Sequence, residues 1–194
     1  MSNTASHGTK SETAWANPGA LGLACFGFNT LLLNVHNIGL IPNTMPLIWA
    51  FFWGGAAQII AGIVEARRGE AFAFTAFISY GFFWVGLATA FLLQWRGIIT
   101  LDGPSLAWTM IMWGIFSFYM TFGAFKISVV HATIFVTLTI LFGMLAAHFF
   151  GAFPLVVAGA EGIFVGGVAV YLSAAIMMNI MHGRWVLPIG LFHK

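Results

Sequence analysis

The sequence predicts an all-α membrane protein whose chain crosses a bilayer six times. Three observations carry that expectation. Hydrophobic residues make up 60% of the chain, charged residues 6%, and mean hydropathy is +0.96, whereas about a quarter of a soluble domain is charged. Six apolar runs stand out, at about 19–41, 45–65, 71–94, 105–123, 128–150 and 155–181, each long enough to cover about 30 Å at about 1.5 Å per residue. Charge then selects the number of crossings. With six spans, Lys10, Arg67, Arg68, Lys126, Arg184 and Lys194 share one side and Arg96 alone lies opposite. The positive-inside rule puts that side and both termini in the cytoplasm, as in an inner-membrane protein. Five or seven spans would scatter the same charges.

The ends of the chain divide simply. Residues 1–16 are polar, without an apolar core or cleavage pattern, and read as a disordered cytoplasmic tail. Residues 17–184 form one six-helix transmembrane domain, and 185–194 a short cytoplasmic C-terminal tail. A net charge of +2, thinly spread, excludes nucleic acid as a partner. The single cysteine, Cys25, rules out an intrachain disulfide and a thiolate metal site. No cofactor, metal or catalytic group is expected.

The first span opens at Asn17-Pro18, where Asn suits the N-cap and Pro the first helical position. At about 100° per residue, Phe26, Thr30, Asn34 and Asn37 share one face, which must look onto protein or water rather than lipid. Lining of a passage and bonding between helices fit that stripe equally well. In the second span Gly54, Gln58, Gly62 and Glu65 repeat along one side and predict a close-packing seam with Gln58 as its buried amide. The third offers Thr75 and Ser79 on one side and Tyr80 and Trp84 on another; the fourth is rich in aromatics and Met. The fifth holds Thr133, Thr137 and Thr139, a residue type that often bonds back to its own helix. The sixth carries Gly162-x-x-x-Gly166 and Glu161, an acid well inside an apolar run. Breaks fall at Pro42 and Pro46, at EARRGE (65–70), at 96–104, at Phe125-Lys126 and at 151–154.

Seven stretches in register resemble the acetate uptake transporter family, the YaaH/SatP acetate and succinate permeases. They are NPGALGL (17–23), FGFNTLLLNVHN (26–37), GGAAQIIAGIVE (54–65), TAFISYGFFW (75–84), TFGAFK (121–126), LTILF (138–142) and GRWVLPIG (183–190). The resemblance implies a homo-hexamer of six-helix protomers, each with its own pore, passing small monocarboxylates, chiefly acetate and in some members succinate. It further implies a narrow apolar constriction, matched here by Phe26, Tyr80 and Leu138, and links Asn17 and Pro18 to substrate passage. Two departures stand out. Ala20 replaces the second proline of the opening motif, and Ile176 and Ile180 stand where the last helix usually carries acids.

A carboxylate entering a bilayer needs relief from desolvation. Thr30, Asn34, Asn37, Gln58, Ser79, Thr133 and Thr137 can donate hydrogen bonds, and no Lys or Arg lies mid-span. Neutral donors of this kind bind weakly enough to release, as conduction requires. The solute crosses either as an anion, as in a channel, or together with a proton, as in a symporter. His36 and Glu161 are the candidates for proton coupling, while His131 and His148 read as interfacial. A urea or short-chain amide channel of similar hexameric architecture is the competing expectation. A haem protein is disfavoured because no histidine pair has a haem-binding spacing.

Overall fold

All six expected spans are helical in the computed structural model, which describes residues 15–192. Most of the expected N-terminal tail, and the last two positions of the C-terminal one, lie outside the described residues. The helices are α1 (Gly19–Asn37), α2 (Thr44–Phe51), α3 (Gln58–Arg68), α4 (Ala71–Trp95), α5 (Gly103–Ala124), α6 (Val129–Phe149) and α7 (Leu155–His182). Together α2, the turn that follows it and α3 make the second span, Thr44–Arg68.

Asn17 and Pro18 each stand one residue further from the helix than expected, since α1 begins at Gly19. Asn17 Oδ1 accepts the Gly19 N–H at 2.8 Å, and Pro18 occupies the cap just before the first helical residue. The polar groups below it bond within α1 itself rather than across to another helix. Thr30 donates to the Phe26 carbonyl at 2.7 Å, Asn34 to the Thr30 carbonyl at 2.8 Å, and Asn37 to Asn34 Oδ1 at 2.9 Å. This hydrogen-bonded face packs on α7, the most extensive helix pairing in the molecule. Glycine makes the approach feasible: a Cβ on Gly162 would collide with the Asn34 amide, and one on Gly166 would lie 2.8 Å from the Gly27 carbonyl oxygen.

The second span contains a feature that periodicity did not predict, a widened π-helical turn over Phe52–Ala57. Its Gly54-Gly55 pair lowers helix propensity and lets two neighbours press in. A Cβ on Gly54 would sit 2.9 Å from the Asn29 amide carbon, and one on Gly55 2.6 Å from Val85. The span ends at Gly69, whose φ of 79° is the left-handed conformation of a helix C-terminus, with Glu70 N–H bonded to the Glu65 carbonyl at 3.0 Å. This tight reversal keeps Glu65, Arg68 and Glu70 together at one end of the bundle.

Asp102 caps α5, accepting the Ser105 N–H at 2.8 Å and the Ser105 hydroxyl at 2.7 Å. Those two bonds hold its carboxyl below the usual carboxylate range. The start of α6 is capped from two directions. Ser128 Oγ accepts the His131 N–H at 3.2 Å, and the Val129 and Val130 N–H groups bond to the carbonyls of Gly190 at 2.7 Å and Ile189 at 3.2 Å. The C-terminal segment is therefore docked through Phe192 rather than trailing as a tail. Asn179 and the Tyr171 hydroxyl pin it further, through Val186, Leu187 and Pro188. The orphan donors of a helix start require partners at low dielectric, and this segment supplies them.

Candidate functional site

One end of the bundle opens into a cavity of about 290 Å³ bounded by α1, α3, α4, α6 and the end of α7. Each wall is a single helical stripe: Gly19, Leu23 and Phe26 on α1; Phe72, Ala73, Ala76, Phe77 and Tyr80 on α4; His131, Ile134, Phe135 and Leu138 on α6. Spacings of three and four residues give each helix one inward face. On α1, α4 and α6 the lining stops at Phe26, Tyr80 and Leu138 respectively, so these three side chains close the inner end. Phe26 and Tyr80 stand 5.5 Å apart between ring centroids, and all three are buried.

The Tyr80 ring is fixed by its surroundings. It contacts Phe116, Trp113 and Phe135. Its hydroxyl lies 2.8 Å from Ser117 Oγ, which itself donates to the Trp113 carbonyl at 2.8 Å, so the phenol is the donor of the pair. This inner end is thus apolar toward the cavity, with its one hydroxyl turned into the seam between α4 and α5.

Polar groups sit at two levels. At the mouth are Asn17, Glu65, Arg68 and Glu70; Glu65 and Arg68 approach to 3.2 Å, and Arg68 also donates to the Trp15 carbonyl at 3.0 Å. Deeper, Gln58 faces the cavity with neither amide atom bonded to protein among the described residues. Asn29 is likewise buried and unpartnered among the described residues, beside the widened turn. No group of three or more His, Cys, Asp or Glu side chains able to hold a metal is found among the described residues.

Of the residues singled out in the sequence, Asn17, Phe26, Gln58, Tyr80 and Leu138 meet in this cavity. Pro18 stays in the α1 cap. Thr30, Asn34 and Asn37 are committed to one another and to α7. Ser79 is half-buried outside the lining, and Thr137 bonds back to the Thr133 carbonyl at 2.8 Å. His36 closes the end of α1 through Ile41 O at 2.8 Å, and Glu161 is half-buried on α7 away from the cavity. Glu65 lines the cavity from the same stripe as Gln58, and Arg68 and His131 join it although the sequence points to a loop for the one and an interfacial ring for the other. Spacing held the signal: Glu65 and Arg68 are i, i+3 on a helix that continues past the apolar run, and His131 lies seven residues before Leu138 on the same face.

Residues 3–190 match the model of the GPR1/FUN34/yaaH family. The chain is 38% identical over 188 residues to the succinate-acetate/proton symporter SatP of Escherichia coli, covering 94% of this chain and 99% of that protein. It is 39% identical over 184 residues to an uncharacterised protein of Methanothermobacter thermautotrophicus, covering 89% and 90% of the two. The solved structure of the bacterial acetate channel SatP superposes with a TM-score of 0.87 at 39% identity, covering 91% of this chain and 99% of that one.

Proposed function

This chain belongs to the GPR1/FUN34/yaaH family, and from that premise we propose that it carries small carboxylates, acetate and succinate, across a membrane. The observation that carries the reading is the cavity itself, which leads from a polar mouth to an uncharged neck of Phe26, Tyr80 and Leu138. At about 290 Å³ it is at the small end of ligand sites, and its apolar walls favour a compact solute over a long one. The mouth offers Arg68 and Asn17 to a carboxylate. Beyond it, Gln58 supplies an amide with both hydrogen-bonding atoms free of partners among the described residues. Such an amide replaces part of the hydration shell without binding tightly enough to trap the solute.

The same reading places the protein in the inner membrane as a homo-hexamer with a pore in each protomer. Arg67, Arg68, Lys126 and Arg184 gather at the end that carries the cavity mouth, and Arg96 sits at the other, which supports a cytoplasmic mouth and cytoplasmic termini. Outward-facing Phe28, Phe82, Trp108, Phe118, Phe122 and Phe164 suit lipid or neighbouring protomers. The test is uptake of radiolabelled acetate and succinate into proteoliposomes, with and without an imposed pH gradient, against urea as control. Acetate flux above protein-free vesicles, with no urea flux, is the expected result; urea flux without acetate flux refutes the reading.

A further inference from the structure

We propose that His131 binds the substrate carboxylate through its Nε2 and takes up a proton with it, so that anion and proton reach the neck as a neutral couple. The inference rests on the transport reading above. His131 lies on the α6 stripe that continues through Ile134, Phe135 and Leu138. Seven residues of helix separate it from Leu138, about 10 Å along the axis. A solute moving from mouth to neck must pass it.

The ring is held in one orientation. Nδ1 lies 2.7 Å from Ser128 Oγ. Ser128 is wholly buried, and its oxygen already accepts the His131 backbone N–H. Among the described residues the ring nitrogen is the acceptor available to the serine hydroxyl, which sets the Nε2–H tautomer of the neutral imidazole. Nε2 is then the nitrogen left for the cavity.

The charged groups around it are few. From α3 come Glu65 and Arg68, already paired at 3.2 Å, and from the turn after it Glu70. The residues just before α1 contribute Asn17, α7 contributes Ile176, and α4 contributes Tyr80, whose hydroxyl is engaged by Ser117. His131 has no carboxylate partner of its own among the described residues. A carboxylate arriving at Nε2 favours the imidazolium, and the imidazolium reciprocally favours the carboxylate. The added proton comes from water at the open mouth and sits on the ring, with Nδ1–H donating to Ser128 Oγ. Its counterpart on Nε2 passes to a carboxylate oxygen, and a neutral carboxylic acid enters the neck. That leaves a neutral ring with its hydrogen on Nδ1, and the next proton from the mouth arrives at Nε2 together with the next carboxylate.

The experiment measures the KM for total acetate in proteoliposomes between about pH 6 and pH 8, with protein-free vesicles subtracted. Linked uptake of one proton raises the wild-type KM about tenfold per pH unit. His131→Gln keeps an amide donor and removes the titration, so its KM is expected to stay flat. An unchanged slope in His131→Gln, or a flat wild-type profile, overturns the proposal. Should the variant fail to fold, calorimetric titration of detergent-solubilised wild type with acetate in two buffers of different ionisation heat still decides it. Close to one proton taken up per acetate supports the proposal, and none overturns it. Wild type that moves no acetate sinks the transport reading as well, whereas flux with an unaltered slope in His131→Gln leaves transport standing.

Discussion

Tyr80→Phe separates a neck built from shape from one that offers a hydroxyl to the solute. Ser117 gives its own hydrogen to the Trp113 carbonyl, so Tyr80 donates into the α4–α5 seam and not into the cavity. Removing that hydroxyl deletes one neutral hydrogen bond, about 0.5–1.5 kcal/mol of stability. For a chain of this size that is a fall of about 1–6 °C in melting temperature. Ser117 keeps its bond to Trp113, so no buried donor is stranded, and the ring remains 5.5 Å from Phe26. Transport should therefore stay within about threefold of wild type. A hydrogen bond to a charged carboxylate is worth about 1.5–3 kcal/mol, so losing one would lower kcat/KM by at least tenfold. Acetate uptake in proteoliposomes, paired with melting in detergent, distinguishes the two. A tenfold loss of kcat/KM at an undiminished melting temperature would refute the assignment of that hydroxyl to the seam.

Other substitutions probe the remaining parts. Leu138→Ala shortens one side of the neck and should admit longer acids such as butyrate; its stability loss should fall near the low end of the usual 2–5 kcal/mol because one face already borders the cavity. Unchanged selectivity in competition uptake would count against Leu138 as part of the neck. Gly162→Val drives a side chain into the Asn34 amide and should destabilise by about 1–3 kcal/mol or reduce folded yield, read by melting in detergent; wild-type stability would mean that α1 and α7 are not so closely packed. Glu161→Gln changes a half-buried group outside the cavity, so acetate uptake and its response to a pH gradient should persist, and loss of coupling would restore this residue as a relay.

The spans were legible because a bilayer demands long apolar helices, and polarity alone marks their ends. That Phe26, Tyr80 and Leu138 meet at one cavity was legible through motif, since they are unremarkable as composition. The polar stripe of α1 was harder. Periodicity showed that Phe26, Thr30, Asn34 and Asn37 share a side, but not that a glycine-lined α7 covers the lower part of it. Charge misled at the mouth. EARRGE looks like a loop between spans, yet α3 runs to Arg68 and brings that arginine into the cavity beside Glu65, which shares the Gln58 stripe. His131 looked interfacial because it follows the break at Lys126 by only a few residues. The docked segment that ends at Phe192 closes over the start of α6, and no local pattern announces a contact between residues so distant in sequence.

Gln58 brings stability and passage into opposition, and that conflict can be measured. It follows the widened turn directly and is almost wholly buried, with both amide atoms unbonded among the described residues. A packing seam has no use for such a group, because an unmade hydrogen bond at low dielectric costs about 1–3 kcal/mol. Bordering a cavity that admits water puts the penalty near the lower figure. Gln58→Leu, similar in size and without polar atoms, should therefore melt higher than wild type by a few degrees while carrying acetate several-fold more slowly. The pairing of the two changes is the informative result, since most damaging substitutions lower both. If Gln58→Leu were less stable and carried acetate at the wild-type rate, the amide would be a structural strut and the neck would work without it.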